Sequence, residues 1–165
     1  MEFQTLRQVE KALEDKHFKV LVDLGIGFGE VAPVLKKHCD YLIGVDITLE
    51  RVRLSGYDVL YNQLIEEDAR TYTIPVEADG VSLFDLVEHF KFNEGLDLLR
   101  KIGSRFCILT TPSKFFQGAL NGHASLWSVE DLNNLGFKTV LFKTGFFRDI
   151  LYGQKILGVR EEGRL

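Results

Sequence analysis

The chain has 165 residues, with 20 Lys and Arg against 24 Asp and Glu for a formal net charge of −4. Hydrophobic residues make up 45% and charged residues 27%, which excludes a disordered or low-complexity chain and suits one domain with one sizeable core. The acidic balance argues against nucleic-acid binding driven by bulk charge, and two cysteines, Cys39 and Cys107, are too few for a metal cluster or a disulfide framework.

Both cysteines sit in apolar surroundings, so they read as reduced core residues. Residues 1–13 carry scattered charges and no signal-peptide segment, and no apolar run reaches membrane-spanning length. The expectation is a cytoplasmic protein without a membrane partner.

In chain order, Phe3, Leu6, Val9 and Leu13 recur at helical spacing, which predicts an amphipathic helix over 3–15. The run 18–23 is a short strand ending in a glycine-rich turn. Glu30 to His38 reads as a second helix, with Pro33 tolerated in its first turn and Lys36, Lys37 and His38 suited to its last. Residues 41–46 form a second strand, and a short helix near 49–54 closes at Gly56. Residues 61–67 form a weaker third strand and 80–84 a fourth. Phe92 to Ile102 is a helix stopped by Gly103. Residues 106–110 form a fifth strand. Ser128 caps a helix with Asp131 three residues on, and that helix stops at Gly136. Two closing strands lie near 137–143 and 154–160. Having no helix between them, they are expected to be antiparallel. Alternating strands and helices predict an α/β sandwich around a mostly parallel sheet.

The most informative segment is Asp23-Leu24-Gly25-Ile26-Gly27-Phe28-Gly29-Glu30, between the first strand and its helix. In a doubly wound sheet, ligands bind beyond the carboxyl ends of the strands. Glycines there let the backbone approach a ligand, and the following helix N-terminus favours negative charge. A dinucleotide fingerprint, G-x-G-x-x-G, needs its third glycine where this chain has Glu30, and a carboxylate there repels a pyrophosphate. The pattern acidic-x-G-x-G-x-G fits fully through Asp23, Gly25, Gly27 and Gly29. A carboxylate at Asp23 suits the ammonium group of S-adenosylmethionine. Asp46, at the end of the second strand, is placed to accept both hydroxyls of a ribose. Asp68, in Glu66-Glu67-Asp68-Ala69, is placed for an adenine amino group, and the fourth strand runs into Phe84-Asp85-Leu86-Val87-Glu88-His89-Phe90.

These residues resemble the class I S-adenosylmethionine-dependent methyltransferases, and among them the small type 11 group that includes ubiquinone-biosynthesis-type enzymes. The resemblance covers roughly 18–143 and rests on DLGIGFG (23–29), GVDI (44–47), EEDA (66–69), FDLVEHF (84–90), LTTPS (109–113) and HASLWSVEDLNNLGF (123–137). It implies a three-layer, doubly wound, Rossmann-like sheet of seven strands, mostly parallel with an antiparallel last strand. It implies one domain, with an N-terminal helix over 1–17, a cofactor-binding core over 18–143 and a closing strand over 144–165. Cofactor contacts fall on Asp23, Gly25, Ile26, Gly27, Gly29, Asp46, Ile47, Asp68, Ala69 and Asp85. The activity implied is methyl transfer by SN2 displacement to an acceptor, with a small molecule expected. That reaction needs no metal, and none is expected.

Other readings stay beside these. Asp46 alone serves as a helix N-cap in competition with Thr48; Asp68 belongs equally well to a solvated acidic edge, and Asp85 to the cap of the next turn. His89 and His123 are the histidines near the expected substrate side, as general bases or as anchors of their loops. Phe115, Phe116 and Trp127 line a substrate pocket or pack in the core. His17 and His38 read as surface residues. The short chain, without an obvious substrate cover, also fits a non-catalytic cofactor-binding scaffold or a homo-oligomer joined through Phe146, Phe147 and Tyr152.

Overall fold

The computed structural model describes residues 3–113, 122–144 and 153–163, so Phe115, Phe116, Phe146, Phe147 and Tyr152 lie outside the described residues. Helix α1 spans Phe3–Leu13, and strand β1 Phe18–Leu24. Then follow α2 (Ala32–Leu35), β2 (Cys39–Asp46), α3 (Glu50–Ser55), β3 (Gln63–Glu66), β4 (Gly80–Phe84) and α4 (Phe92–Lys101). The chain continues through β5 (Phe106–Pro112), α5 (Val129–Asn133), β6 (Lys138–Thr144) and β7 (Gly153–Arg160).

The seven strands form one sheet in the order β3-β2-β1-β4-β5-β7-β6. The first five are parallel to their neighbours, while β7 runs antiparallel between β5 and β6. This is the expected mostly parallel sheet. It is built from strands buried on both faces, because alternate side chains point to opposite sides. On β1, Val22 and Leu24 enter a core with α4 and α5, while Leu21 enters a second core with α1, α2 and α3, joined there by Phe18 from the strand's first position. On β5, Cys107 and Leu109 join the first core, and Phe106 and Ile108 the second. Both cysteines are free and buried, and burial pushes the Cys39 thiol up to about 11 and the Cys107 thiol up to about 12. No helix among the described residues is long and apolar enough to cross a membrane.

Two elements differ from the sequence expectation. The helix expected over Glu30–His38 is one α-turn, Ala32–Leu35, followed by a 3-10 turn at Lys36–His38. Gly29 has φ +73°, outside helical geometry, and Pro33 has no N–H to donate, so regular bonding starts late. A single turn has little dipole to offer an anion. The third strand is shorter than 61–67. Tyr61 leaves the ladder to cross Gly44, where even a Cβ would lie 2.6 Å from its ring. Asn62 instead bonds Leu42 through both its backbone N–H and its side-chain oxygen, each at 2.8 Å.

The closing capping box forms as expected: Ser128 Oγ accepts from Asp131 N at 3.1 Å and Ser128 N donates to Asp131 Oδ2 at 2.8 Å. Arg160, buried at the end of β7, donates to the carbonyls of Leu99 and Gly103, satisfying the end of α4. Its guanidinium lies 4.9 Å from the Phe137 ring centroid.

Candidate active site

The chain runs outward from β1 through β2 to β3, then returns to place β4 against the other side of β1. Strand β1 is therefore a switch point, and the loops after β1 and β4 diverge to leave a crevice. A cavity of about 490 Å³ opens there. It has the size of a small-ligand site.

The loop after β1 is held by its own backbone and by one side chain. Gly25 N donates to Val45 O at 2.8 Å, and Gly29 N to Ile26 O at 2.8 Å. Gly27 N donates to Asp46 Oδ2 at 2.8 Å. Gly27 has φ +53° and its missing Cβ would meet nothing within 4 Å, so the backbone faces open cavity. Gly25 is crowded instead: a Cβ there would sit 2.6 Å from Leu86. Gly29 turns away from the cavity and packs against Val52 and Tyr57.

Four carboxylates surround this loop in different states. Asp23 is 3% exposed, and its oxygens accept from Ser82 Oγ at 2.7 Å and Tyr61 Oη at 2.9 Å. Burial pushes its carboxyl up to about 7, against the two hydroxyl donors that favour the charged form. Asp46 spans Gly27 N and, at 3.2 Å, Thr48 N. Asp68 is paired with the exposed Arg70, whose Nη2 approaches to 2.6 Å, and its hydrogen bonds to Arg70 hold the carboxyl below its usual range. Arg70 also reaches Glu94 at 2.9 Å and lies over the Phe90 ring, 5.1 Å from its centroid. Asp85 has φ +51°, a left-handed conformation that aspartate tolerates better than most residues. Its carboxylate accepts from Thr110 Oγ1 at 3.0 Å and Lys155 Nζ at 2.5 Å, joining the β4 loop to β5 and β7.

Beyond Asp85 a 3-10 turn, Val87–His89, faces the segment 122–125. Glu88 O accepts from Ala124 N at 2.8 Å and from Ser125 N at 3.1 Å. The Glu88 side chain is 2% exposed, and burial pushes it up to about 8. Oε2 accepts from Thr111 Oγ1 at 3.0 Å, whereas buried Oε1 has no partner among the described residues. The His89 and His123 rings meet edge to face at 5.2 Å. Burial lowers the pKa of His123, with His89 adding to the shift.

Of the residues expected from sequence, Asp23, Gly25, Ile26, Gly27, Asp46, Ile47, Asp68, Ala69, Asp85 and His89 line the cavity, and Gly29 and His123 do not. Trp127 is wholly buried against Phe92, 4.7 Å between centroids, and belongs to the core. His17 is exposed and bonds Asp40 at 2.8 Å; His38 is half-buried on Lys16 O at 3.0 Å. Sequence reasoning missed Phe28, Arg51, Arg70 and Phe90 on the cavity wall, and Glu88 beside His89 and His123. Arg70 and Phe90 meet only across the fold. For Glu88 the available signal was an acid directly beside a histidine in the run Phe84–Phe90.

No protein-family model matches the chain, and no curated protein sequence matches it. Solved structures do. YcgJ from Bacillus subtilis is 15% identical, with a TM-score of 0.69 over 97% of this chain and 99% of its own. Magnesium protoporphyrin IX methyltransferase (ChlM) from Synechocystis PCC 6803, with bound SAM, is 20% identical, with a TM-score of 0.66 over 96% of this chain and 79% of its own. N-methyltransferase NodS from Bradyrhizobium japonicum WM9, in complex with S-adenosyl-L-homocysteine, is 9% identical, with a TM-score of 0.72 over 96% of this chain and 87% of its own. This chain has the α/β fold of those methyltransferases, including the antiparallel β7 between β5 and β6.

Proposed function

We propose that this chain is an S-adenosylmethionine-dependent methyltransferase. The observation that carries the reading is one cavity at the sheet's switch point, lined together by the open backbone of Gly27 and by Asp23, Asp46, Asp68 and Asp85. ChlM and NodS, which share the fold, have SAM and S-adenosyl-L-homocysteine bound. In this reading Asp46 takes the ribose hydroxyls, Asp68 the adenine amino group after exchange with Arg70, and Asp23 stabilises the ammonium group from beneath the loop. Exposed Ile47 and the half-exposed Phe28 give the adenine apolar walls. Glu30 on the cavity wall opposes a dinucleotide's pyrophosphate.

When bound, S-adenosylmethionine supplies an electrophilic methyl group on a sulfonium. The protein's share is then to fix the distance and line of approach of the acceptor and to exclude water, which by itself lowers the barrier by several kcal/mol, up to about 7–11 in the best-aligned systems.

Titration calorimetry with S-adenosylhomocysteine, with NADH as the control, tests the reading. Saturable binding of the first and none of the second is the expected result. Tight NADH binding alone overturns it in favour of an oxidoreductase. Binding of neither overturns it in favour of a scaffold that keeps the fold.

A further inference from the structure

We propose that Glu88, His89 and His123 form a divalent-cation site beside the cofactor cavity, and that the acceptor methylated there is a hydroxyl.

One ligand atom from each of the three side chains lies within 4.8 Å of the other two. The set, one carboxylate and two imidazoles, suits Mn²⁺, Fe²⁺, Co²⁺ or Zn²⁺. In Glu88 and His89 one polar atom is already engaged while the other is left over. Glu88 Oε2 is held by Thr111 Oγ1, and Oε1 is buried without a partner among the described residues. A carboxylate oxygen so placed is costly unless something else satisfies it. His89 Nδ1 lies 3.2 Å from Gly122 O. A carbonyl only accepts, so Nδ1 carries the proton and Nε2 keeps its lone pair, the arrangement a metal-binding histidine needs. His123 is brought to the other two by backbone bonds, since Ala124 N and Ser125 N both donate to Glu88 O. Ser125 Oγ in turn donates to Val87 O at 3.3 Å and accepts from Trp127 Nε1 at 3.0 Å, anchoring the segment in the core.

A cation with bonds of about 2.1 Å holds its ligands roughly 3–4 Å apart, so closure on the ion draws these atoms in by about an ångström. The exposed His89 is the side chain with room to do this, and it also lines the cavity, so the cation faces the cofactor.

Three protein ligands leave coordination positions open. A hydroxyl bound at one is acidified, as metal-bound water is, and loses its proton to solvent water. The oxygen lone pair then forms the new C–O bond to the methyl carbon. The C–S bond breaks with its electron pair returning to sulfur, leaving a methyl ether and the neutral thioether. The hydroxyl role rests on the methyl-transfer reading; the cation site does not.

The test is titration of the full chain with Mn²⁺, followed by loss of the free-ion electron paramagnetic resonance signal, alongside calorimetry with S-adenosylhomocysteine. One Mn²⁺ per chain is expected. Glu88→Gln, which keeps shape and removes the charge, and His123→Ala should each weaken it by about 10–100-fold. S-adenosylhomocysteine affinity should stay within about threefold in both. Mn²⁺ left free at millimolar concentration, or bound equally by both variants, overturns the site, and S-adenosylhomocysteine binding alongside leaves methyl transfer standing. Mn²⁺ bound without S-adenosylhomocysteine supports the site and overturns the hydroxyl role.

Discussion

The carboxylate of Asp46, at the end of β2, accepts the N–H of Gly27, in the middle of the loop after β1, at 2.8 Å. The same side chain also receives Thr48 N at 3.2 Å. One acid thus shapes the glycine loop and faces the cavity.

Asp46→Ala should weaken S-adenosylhomocysteine binding by about 1.5–3 kcal/mol, the usual worth of hydrogen bonds to a charged group. Asp46→Asn should lose less, because its carboxamide oxygen still accepts from Gly27. Calorimetry on both variants checks this, and a loss below about 0.3 kcal/mol for alanine removes Asp46 from the site.

Gly27→Val should abolish cofactor binding in a protein that still folds. The new side chain enters open cavity rather than packed protein, so the core is untouched. The cost to stability is backbone strain at φ +53°, about 1–3 kcal/mol. Thermal unfolding with calorimetry separates the two effects. Unchanged affinity in the folded variant would place the ligand elsewhere.

Asp23 predicts a pH dependence whose sign follows from burial. Its carboxyl is pushed from an ordinary 3.8 up to about 7 in the native protein. Between those values the native state holds a proton that the unfolded chain has released. This residue's contribution therefore makes stability fall as pH rises from about 4 to about 7, and level off above. A cationic group bound nearby favours the charged carboxylate, so S-adenosylhomocysteine should bind more tightly at pH 8 than at pH 6, with a proton released on binding at the lower pH. Asp23→Asn should remove both slopes, and retention of either in that variant assigns it to another group.

Ser128→Ala removes the acceptor for Asp131 N at the start of α5. The loss should be about 1 kcal/mol, or about 2–4 °C in Tm. Because the cap also fixes the chain just after Trp127, a larger drop would indicate that the segment 122–127 loosens with it.

Much of this molecule could be read from the chain alone. Nearly continuous apolar runs marked the strands, because residues buried on both faces of a sheet must be apolar whatever they touch. Gly25 and Gly27 were legible because a tight turn at a strand end needs residues without a Cβ at fixed spacing. The short helix at Ala32–Leu35 was not, since apolar periodicity does not report where backbone geometry interrupts a helix. Nor was the turning of Gly29 towards Val52 and Tyr57, which depends on where α3 packs.

The sequence by itself determined the element order, the parallel sheet with its antiparallel close, and the acids at successive strand ends, all set by local patterns a few residues long. Tertiary structure alone decided the surroundings of those acids. Asp23 is held near neutrality by burial, Asp68 is claimed by Arg70, and Asp85 is tied to Lys155, 70 residues away. It alone also brought Glu88 and His89 against His123. Solvation and charge pairing depend on distance in space, and neighbours across a fold leave no spacing in the chain.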